Sequence, residues 1–219
     1  MGISSLLNSL NKPIQKKCEA RNKRVNKICK NCTKKIIANS SYNKGVCTNV
    51  AFVFSCPGSF EEKYGQPACA GTGTRLEKVL QELHSTHSVL RNLCRYDFRI
   101  VNAYDKPLYK AKNGKSEWDD SDIVSKNNIC RLFGDLKDII KSGGIIICFG
   151  DKAELAIRTL KSCPSVRKLT TRVQYLKTCH TSPTVAGRHG ITPQCIAKDI
   201  NAKMKSKGIK IPTCKSKKS

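Results

Sequence analysis

Two kinds of apolar pattern alternate along the chain. Residues 50–55 are apolar without interruption until the last, the pattern of a strand covered on both faces. Pro57 then ends it, having no N–H to give to a ladder. Leu76, Val79, Leu80 and Leu83 recur at helical spacing, which predicts a helix capped at Thr74 or its neighbour. A second strand is predicted over residues 98–102, closing on the polar Asn102. After it comes a helix over 129–140 with Leu132, Phe133, Leu136, Ile139 and Ile140 on one side, stopped by Gly143-Gly144. Residues 145–150 are the most strand-like run in the chain, and 152–160 follow as a helix carrying Ala153, Leu155, Ala156 and Leu160. Residues 173–179 predict a weaker strand. His180-Thr181-Ser182-Pro183 follows, then a helix over 193–204 with Pro193 at its permitted first-turn position. Four such strand-helix units predict an α/β fold, three layers α/β/α around a central four-stranded parallel sheet.

Composition divides the chain into three. Residues 1–45 and 206–219 are rich in Lys, Asn and Ser with few apolar positions. They are expected to be a basic, partly helical N-terminal arm and a disordered basic tail around an α/β domain at 46–205. At 219 residues the chain is long enough for a real core without disulfide or metal staples. Forty-one Lys and Arg against sixteen Asp and Glu leave a net charge of +25, the electrostatic footprint of a polyanion binder. Nucleic acid is the expected partner, although a biased genome or an acidic membrane surface would give the same balance. No stretch approaches the ~20 apolar residues of a membrane span, and residues 1–10 lack the charged flank and apolar run of a secretory signal. A soluble, cytoplasmic, monomeric protein without a membrane partner is expected.

The thirteen cysteines add little chemistry of their own. Cys56, Cys148 and Cys179 lie in or beside predicted strands, where a thiol serves as a small apolar filler, and an intracellular chain would keep them reduced. Cys29 and Cys32 form the sole C-x-x-C pair. A closed zinc or iron–sulfur site needs four ligands, and no second paired spacing singles out partners among Cys18, Cys47, Cys94 and Cys130, so no cofactor is expected.

Open α/β sheets bind their ligands beyond the carboxyl ends of the strands, so the candidate chemistry sits where the predicted strands stop. The loop after Phe54 carries Pro57-Gly58, Glu61-Glu62, Gly65-Gln66-Pro67 and Gly71-Thr72-Gly73. Glu61 and Glu62 read either as a solvated pair or as functional acids, Glu61 being the candidate for loop architecture or for assisting a water. Asn102 is either a strand cap or a ligand-reading amide. Of His84, His87, His180 and His189, only His180 follows a strand at its carboxyl end. Ser182, Thr184, Arg188 and His189 make a polar loop with a cation, suited to phosphate or minor-groove contact. The stretch 105–122 is long for a connection and predicts a lid or a DNA-facing insertion. Trp118 within it, among acids, reads as a packing residue.

The pattern Pro57-Gly58-x-x-Glu61-Glu62-x-x-Gly65-x-Pro67-x-x-Gly71-x-Gly73 after an apolar strand resembles the first motif of the uracil-DNA glycosylase superfamily, most closely its bacterial and archaeal family-four branch. Three further features fall in the family's order: a strand ending in Asn102, a strand ending in Phe149-Gly150 with Ala153 in the next helix, and a strand followed by His180-Thr181-Ser182-Pro183. The resemblance spans roughly residues 49–200 and implies a uracil-DNA glycosylase-like fold. It implies that Phe54, Ser55, Cys56, Pro57, Gly58 and Ala68 form the base pocket, and that Asn102 reads the edge of a flipped base. His180 would donate to the base oxygen that gains charge as the glycosidic bond breaks. Residues from Ser182 to about Arg188 would enter the minor groove.

The chain also departs from that pattern. The branch usually has an acid where Ser55 stands, an alanine where Cys56 stands and a base-stacking phenylalanine where Ala68 stands; its His-Pro-Ser appears here as His180-Thr181-Ser182. A missing aromatic wall forfeits stacking worth ~1–3 kcal/mol but makes room. The expected activity is therefore excision of a uracil-like or larger, modified pyrimidine such as some phage DNA carries, in a contest between phage and host. The alternatives are a catalytically inactive DNA binder on the same fold, and an α/β enzyme that uses the Gly71-x-Gly73 turn to hold a small phosphorylated molecule.

Overall fold

The computed structural model describes residues 39–90, 93–183 and 190–211. Five strands form one sheet in the order β1-β3-β2-β4-β5, where β1 is Tyr42–Asn43, β2 Val50–Phe54, β3 Arg99–Asn102, β4 Ile145–Phe149 and β5 Gln174–Thr178. Strands β2 to β5 run parallel, with Phe52 level with Ile100 on one side and Ile147 on the other. β1 pairs antiparallel with β3. The expected sheet of four strands is therefore corrected to five.

The extra strand escapes an apolar-pattern reading because side chains hold it to the sheet. Asn43 donates its amide to the carbonyls of Tyr96 (3.1 Å) and Phe98 (2.8 Å), and Arg99 donates to the carbonyl of Lys44 (2.7 Å). Tyr42 and Asn43 fall within the stretch assigned to a basic arm, most of which, residues 1–38, lies outside the described residues. At the other end, Ile209 is buried against the core and residues 212–219 are not among those described.

Helices cover both faces, and the alternation along the strands decides which face each residue serves. Val50, Phe52 and Phe54 of β2 and Ile145, Ile147 and Phe149 of β4 point to one side. There they meet α2 (Ala70–Thr86) through Leu76, Val79, Leu80 and Leu83, and α8 (Pro193–Ser206) through Ile196, Ile200 and Met204. Ala51, Val53, Ile146 and Cys148 face α5 (Lys126–Lys141) and α6 (Asp151–Ser162). Four short helices fill connections: α1 (Ser59–Tyr64), α3 (Lys110–Asn113), α4 (Asp120–Val124) and α7 (Arg167–Thr170). β5 is the edge, and only its alternate residues Leu176 and Thr178 are buried, which is why its pattern is the weakest of the parallel strands.

Helix α2 starts at Ala70, with Cys69 at its N-cap, five residues ahead of the expected Thr74. Thr74 instead donates its hydroxyl back to the Ala70 carbonyl. The reason lies in backbone conformation. Ala68 and Ala70 adopt left-handed φ values of 47° and 50°, which turn the chain into the helix at once; non-glycine residues seldom do this without tertiary support. Gly73 provides room for that turn, since a Cβ there would lie 2.0 Å from the Ala68 carbonyl oxygen.

Chain direction explains where a cleft opens. β2 leads through α2 on one face to β3, whereas its neighbour β4 leads through α6 on the other face to β5. The connections thus diverge beyond the adjacent carboxyl ends of β2 and β4, the switch point at which such sheets bind ligands.

Phe52 is the centre of the α2-side core, its ring 5.0 Å from that of Phe98 and 5.9 Å from that of Phe149. Phe52→Ala is expected to lower unfolding free energy by about 3–5 kcal/mol, read as a fall in the midpoint of urea denaturation at unchanged slope.

Candidate active site

A cavity of about 250 Å³ opens at that switch point. Phe54, Ser55, Cys56 and Gly58 line it from the end of β2, Glu61 from α1, Ala68 and Thr72 from the entry to α2, Asn102 from the end of β3, and His180 and Ser182 from the loop after β5. Sequence order had singled out all of these except Thr72. Pro57 stands behind the wall, buried, its carbonyl accepting the N–H of Leu108 at 3.0 Å. Thr184, Arg188 and His189, expected at a DNA contact, lie outside the described residues, as do Cys29 and Cys32.

The floor is aromatic. The Phe54 ring stacks on Phe149 at 4.7 Å and 5°, and the His180 ring stands edge-on to it at 5.8 Å and 76°. One hydrogen bond and burial set the state of His180. The backbone N–H of Ser182 donates to Nδ1 at 2.8 Å, so Nδ1 is unprotonated and the neutral ring carries its proton on Nε2. Burial pushes the imidazole down to about 4. The group is therefore an uncharged N–H donor at neutral pH, suited to an oxygen that becomes negative during reaction.

Asn102 is buried and tied on three sides. Its backbone N–H donates to the Ser41 carbonyl (2.9 Å), its side-chain amide to the Ser40 carbonyl (3.3 Å), and its own carbonyl accepts from Arg131 (2.9 Å). Edge residues 40–41 and an arginine of α5 thus hold Asn102 at the cavity, the Ser40 carbonyl gripping the carboxamide and the other two the backbone. Neither carries a sequence signal, because positioning by a backbone carbonyl leaves no side-chain pattern to read.

The two adjacent acids separate in role. Glu61 accepts the N–H of Gly58 at 3.1 Å, holding the loop after β2 against the start of α1. Burial raises its pKa, while hydrogen bonds from the backbone of Glu61, Gly58 and Cys69 pull the other way. Glu62 faces solvent and accepts from Lys112 (2.5 Å) and Tyr109 (2.7 Å), whose hydrogen bonds, that of Lys112 first, hold its carboxyl below the usual range. Those two contacts, with Leu108 on Pro57, fasten the stretch 105–122 across the mouth.

That stretch supplies Leu108, Ser116 and Glu117 to the cavity wall. Its tip is braced by Trp118, which packs on Tyr104 at 4.7 Å and donates its indole N–H to the Lys106 carbonyl at 3.0 Å. Trp118 is thus a packing residue. The polar run around Ser116 and Glu117 gives no periodicity, so their approach to the cavity is not legible in the chain.

The thiol of Cys56 is pushed up to about 11, first by burial; a hydrogen bond with Ser55 opposes the shift and the charges of Glu117 and Glu61 add to it. It is a protonated wall residue at neutral pH. Cys47, by contrast, is disulfide-bonded, against the expectation of reduced cysteines throughout. Among the described residues, no group of three or more His, Cys, Asp and Glu is placed to hold a metal ion, and no helix is long and apolar enough to cross a membrane.

The state of His180 has a thermodynamic consequence. In the unfolded chain the ring titrates near 6.5, and in the fold near about 4, so between those values the unfolded chain binds a proton that the native protein refuses. Stability from this group is complete above pH 6.5 and is lost progressively as pH falls to 4, by roughly 3 kcal/mol in all. Glu61, with its raised pKa, acts in the opposite sense. Denaturant titrations from pH 7.5 to 4 should show this loss, and a His180→Gln variant should show a flatter profile; superimposable profiles would disprove the buried neutral ring. No protein-family model matches the sequence and no curated protein matches it either, so the chemistry of the cavity has to be read from its own residues.

Proposed function

We propose that this protein is a DNA glycosylase of uracil-DNA glycosylase-like fold. It flips a pyrimidine out of DNA, hydrolyses its N-glycosidic bond and leaves an abasic site. The observation that carries the reading is the convergence of an aromatic floor (Phe54), a held carboxamide (Asn102) and a neutral imidazole with its proton on Nε2 (His180) around one cavity at the sheet's switch point.

The chemistry matches that set. As the bond to the sugar breaks, negative charge gathers on the leaving base and positive charge on the sugar. A preorganised neutral donor stabilises the first without having to be desolvated as a cation. The carboxamide reads the base edge, and the Phe54 ring gives it an apolar floor. A base within a duplex is out of reach of such a cavity, so it must be extruded. The net charge of +25 supplies the grip on flanking phosphates that extrusion needs. Lys106 and Lys110 on the insertion across the mouth are part of that supply.

Substrate size follows from Ala68. Its methyl group lines the cavity from a left-handed backbone position, where the resembled family has a ring, and the space favours a substituted pyrimidine of the kind that marks some phage DNA. A role in antiviral defence would follow from such a substrate.

The test is release of free base from oligonucleotides carrying uracil, 5-hydroxymethyluracil or 5-hydroxymethylcytosine, single- and double-stranded, with alkali-labile breaks as the second readout. Wild-type protein should release one of them, and His180→Ala or Asn102→Ala should slow release by about 100-fold or more. DNA that is bound but left intact across the panel would instead favour the inactive binder. Ala68→Phe should reduce release of the bulkier base while keeping or raising that of uracil; an unchanged preference would remove the account of the short wall.

A further inference from the structure

We infer that Glu117, delivered by the insertion between β3 and α5, is the carboxylate that activates the attacking water. The inference rests on the glycosylase reading and supplies the part that Ser55 leaves vacant.

A hydrolytic glycosylase needs a group that takes a proton from water and an anion near the sugar as positive charge develops there. The end of β2 provides neither. Ser55 is a hydroxyl, and Cys56 next to it holds its proton. His180 has its Nδ1 lone pair occupied by the Ser182 N–H and presents a proton rather than a lone pair to the cavity. That leaves two carboxylates on the wall, Glu61 and Glu117.

The two differ in what else they do. Glu61 is engaged by the backbone N–H of Gly58 at the start of α1. Glu117 has no hydrogen bond and no ion pair among the described residues, although the chain has more than two cations for each acid. Three candidate cations have other carboxylate partners, although the Glu117 charge still reaches Lys152. Lys115 is taken by Asp119 (2.6 Å), Lys112 by Glu62 (2.5 Å) and Lys152 by Asp120 (2.5 Å). The Glu117 charge is nevertheless felt at the Cys56 thiol, on the cavity wall beside Ser55. An acid without a hydrogen bond or ion pair among the described residues, lining the same cavity as the imidazole donor, can take that part.

The step balances without a further reactant. The bond between C1′ of the sugar and the base nitrogen breaks, its electron pair leaving on the base, which is stabilised by the Nε2–H of His180. Water oxygen bonds to C1′ while one of its protons passes to Glu117, and the other remains on the new hydroxyl. The proton on Glu117 returns to solvent as the base anion takes one up.

Kinetics with the base that wild-type protein releases test this directly. Glu117→Gln should lower kcat by about 100-fold with KM for DNA changed by less than about twofold. Release by Glu117→Ala should be partly restored by added formate, a small carboxylate that a merely structural defect would not respond to. Glu117→Gln within about threefold of wild type, or no response to formate, would overturn the inference and leave the glycosylase intact. Wild-type protein that releases no base from any oligonucleotide would end the glycosylase reading itself, and this role with it.

Discussion

The pairing of β2 with β4 is the constraint on which the remaining architecture depends. Both strands are buried along their whole length, so their backbone groups have no partner except each other and the flanking strands, and a slip of one residue would turn every apolar side chain to the wrong face. Register is therefore strongly specified, with Val53 level with Cys148. Because the two strands send their connections to opposite faces, fixing their pairing also fixes the position of the cleft. Phe54, at the end of one strand, then stacks on Phe149, at the end of the other. The floor of the cavity is thus the last layer of the core.

On that floor the polar groups are held largely by backbone. The Ser182 N–H sets the tautomer of His180, the Ser40 carbonyl holds the Asn102 amide, and Glu61 holds the Gly58 N–H. Backbone partners are rigid and cost little conformational entropy to align, so such a site is organised before anything binds. The uncharged character of His180 and Asn102 matters as well. A buried imidazole kept neutral avoids the desolvation penalty that a cation would bring, while the cationic surface lies on exposed lysines in water.

How much of this could be read from the chain depends on whether a feature is recorded in side-chain periodicity. Residues 50–54 and 145–149 announce themselves because a strand covered on both faces must be apolar throughout. Asn102 and His180 could be located because a parallel sheet puts its chemistry at strand ends, and the structure brings both to one cavity with Ser55, Cys56, Gly58, Glu61, Ala68 and Ser182. Tyr42 and Asn43 were hidden because an amide and a guanidinium, not apolar burial, secure them. The true start of α2 was hidden because it depends on two alanines adopting left-handed backbone. Glu117 was hidden for a third reason: a polar connection reaches the cavity through long-range contacts, the packing of Trp118 on Tyr104, the hydrogen bond of Leu108 to Pro57 and the bonds of Tyr109 and Lys112 to Glu62.

Gly71 joins two parts of the cavity that lie far apart in the chain. A Cβ at that position would fall 2.6 Å from Cγ of Pro183, so the segment bearing His180 sits directly on the first turn of the helix whose entry bears Ala68. Two walls of the cleft are thus in direct contact and form one block. A cavity framed by such a block has fixed dimensions, as a gauge has, and a single side chain on either wall can change them without loosening the frame.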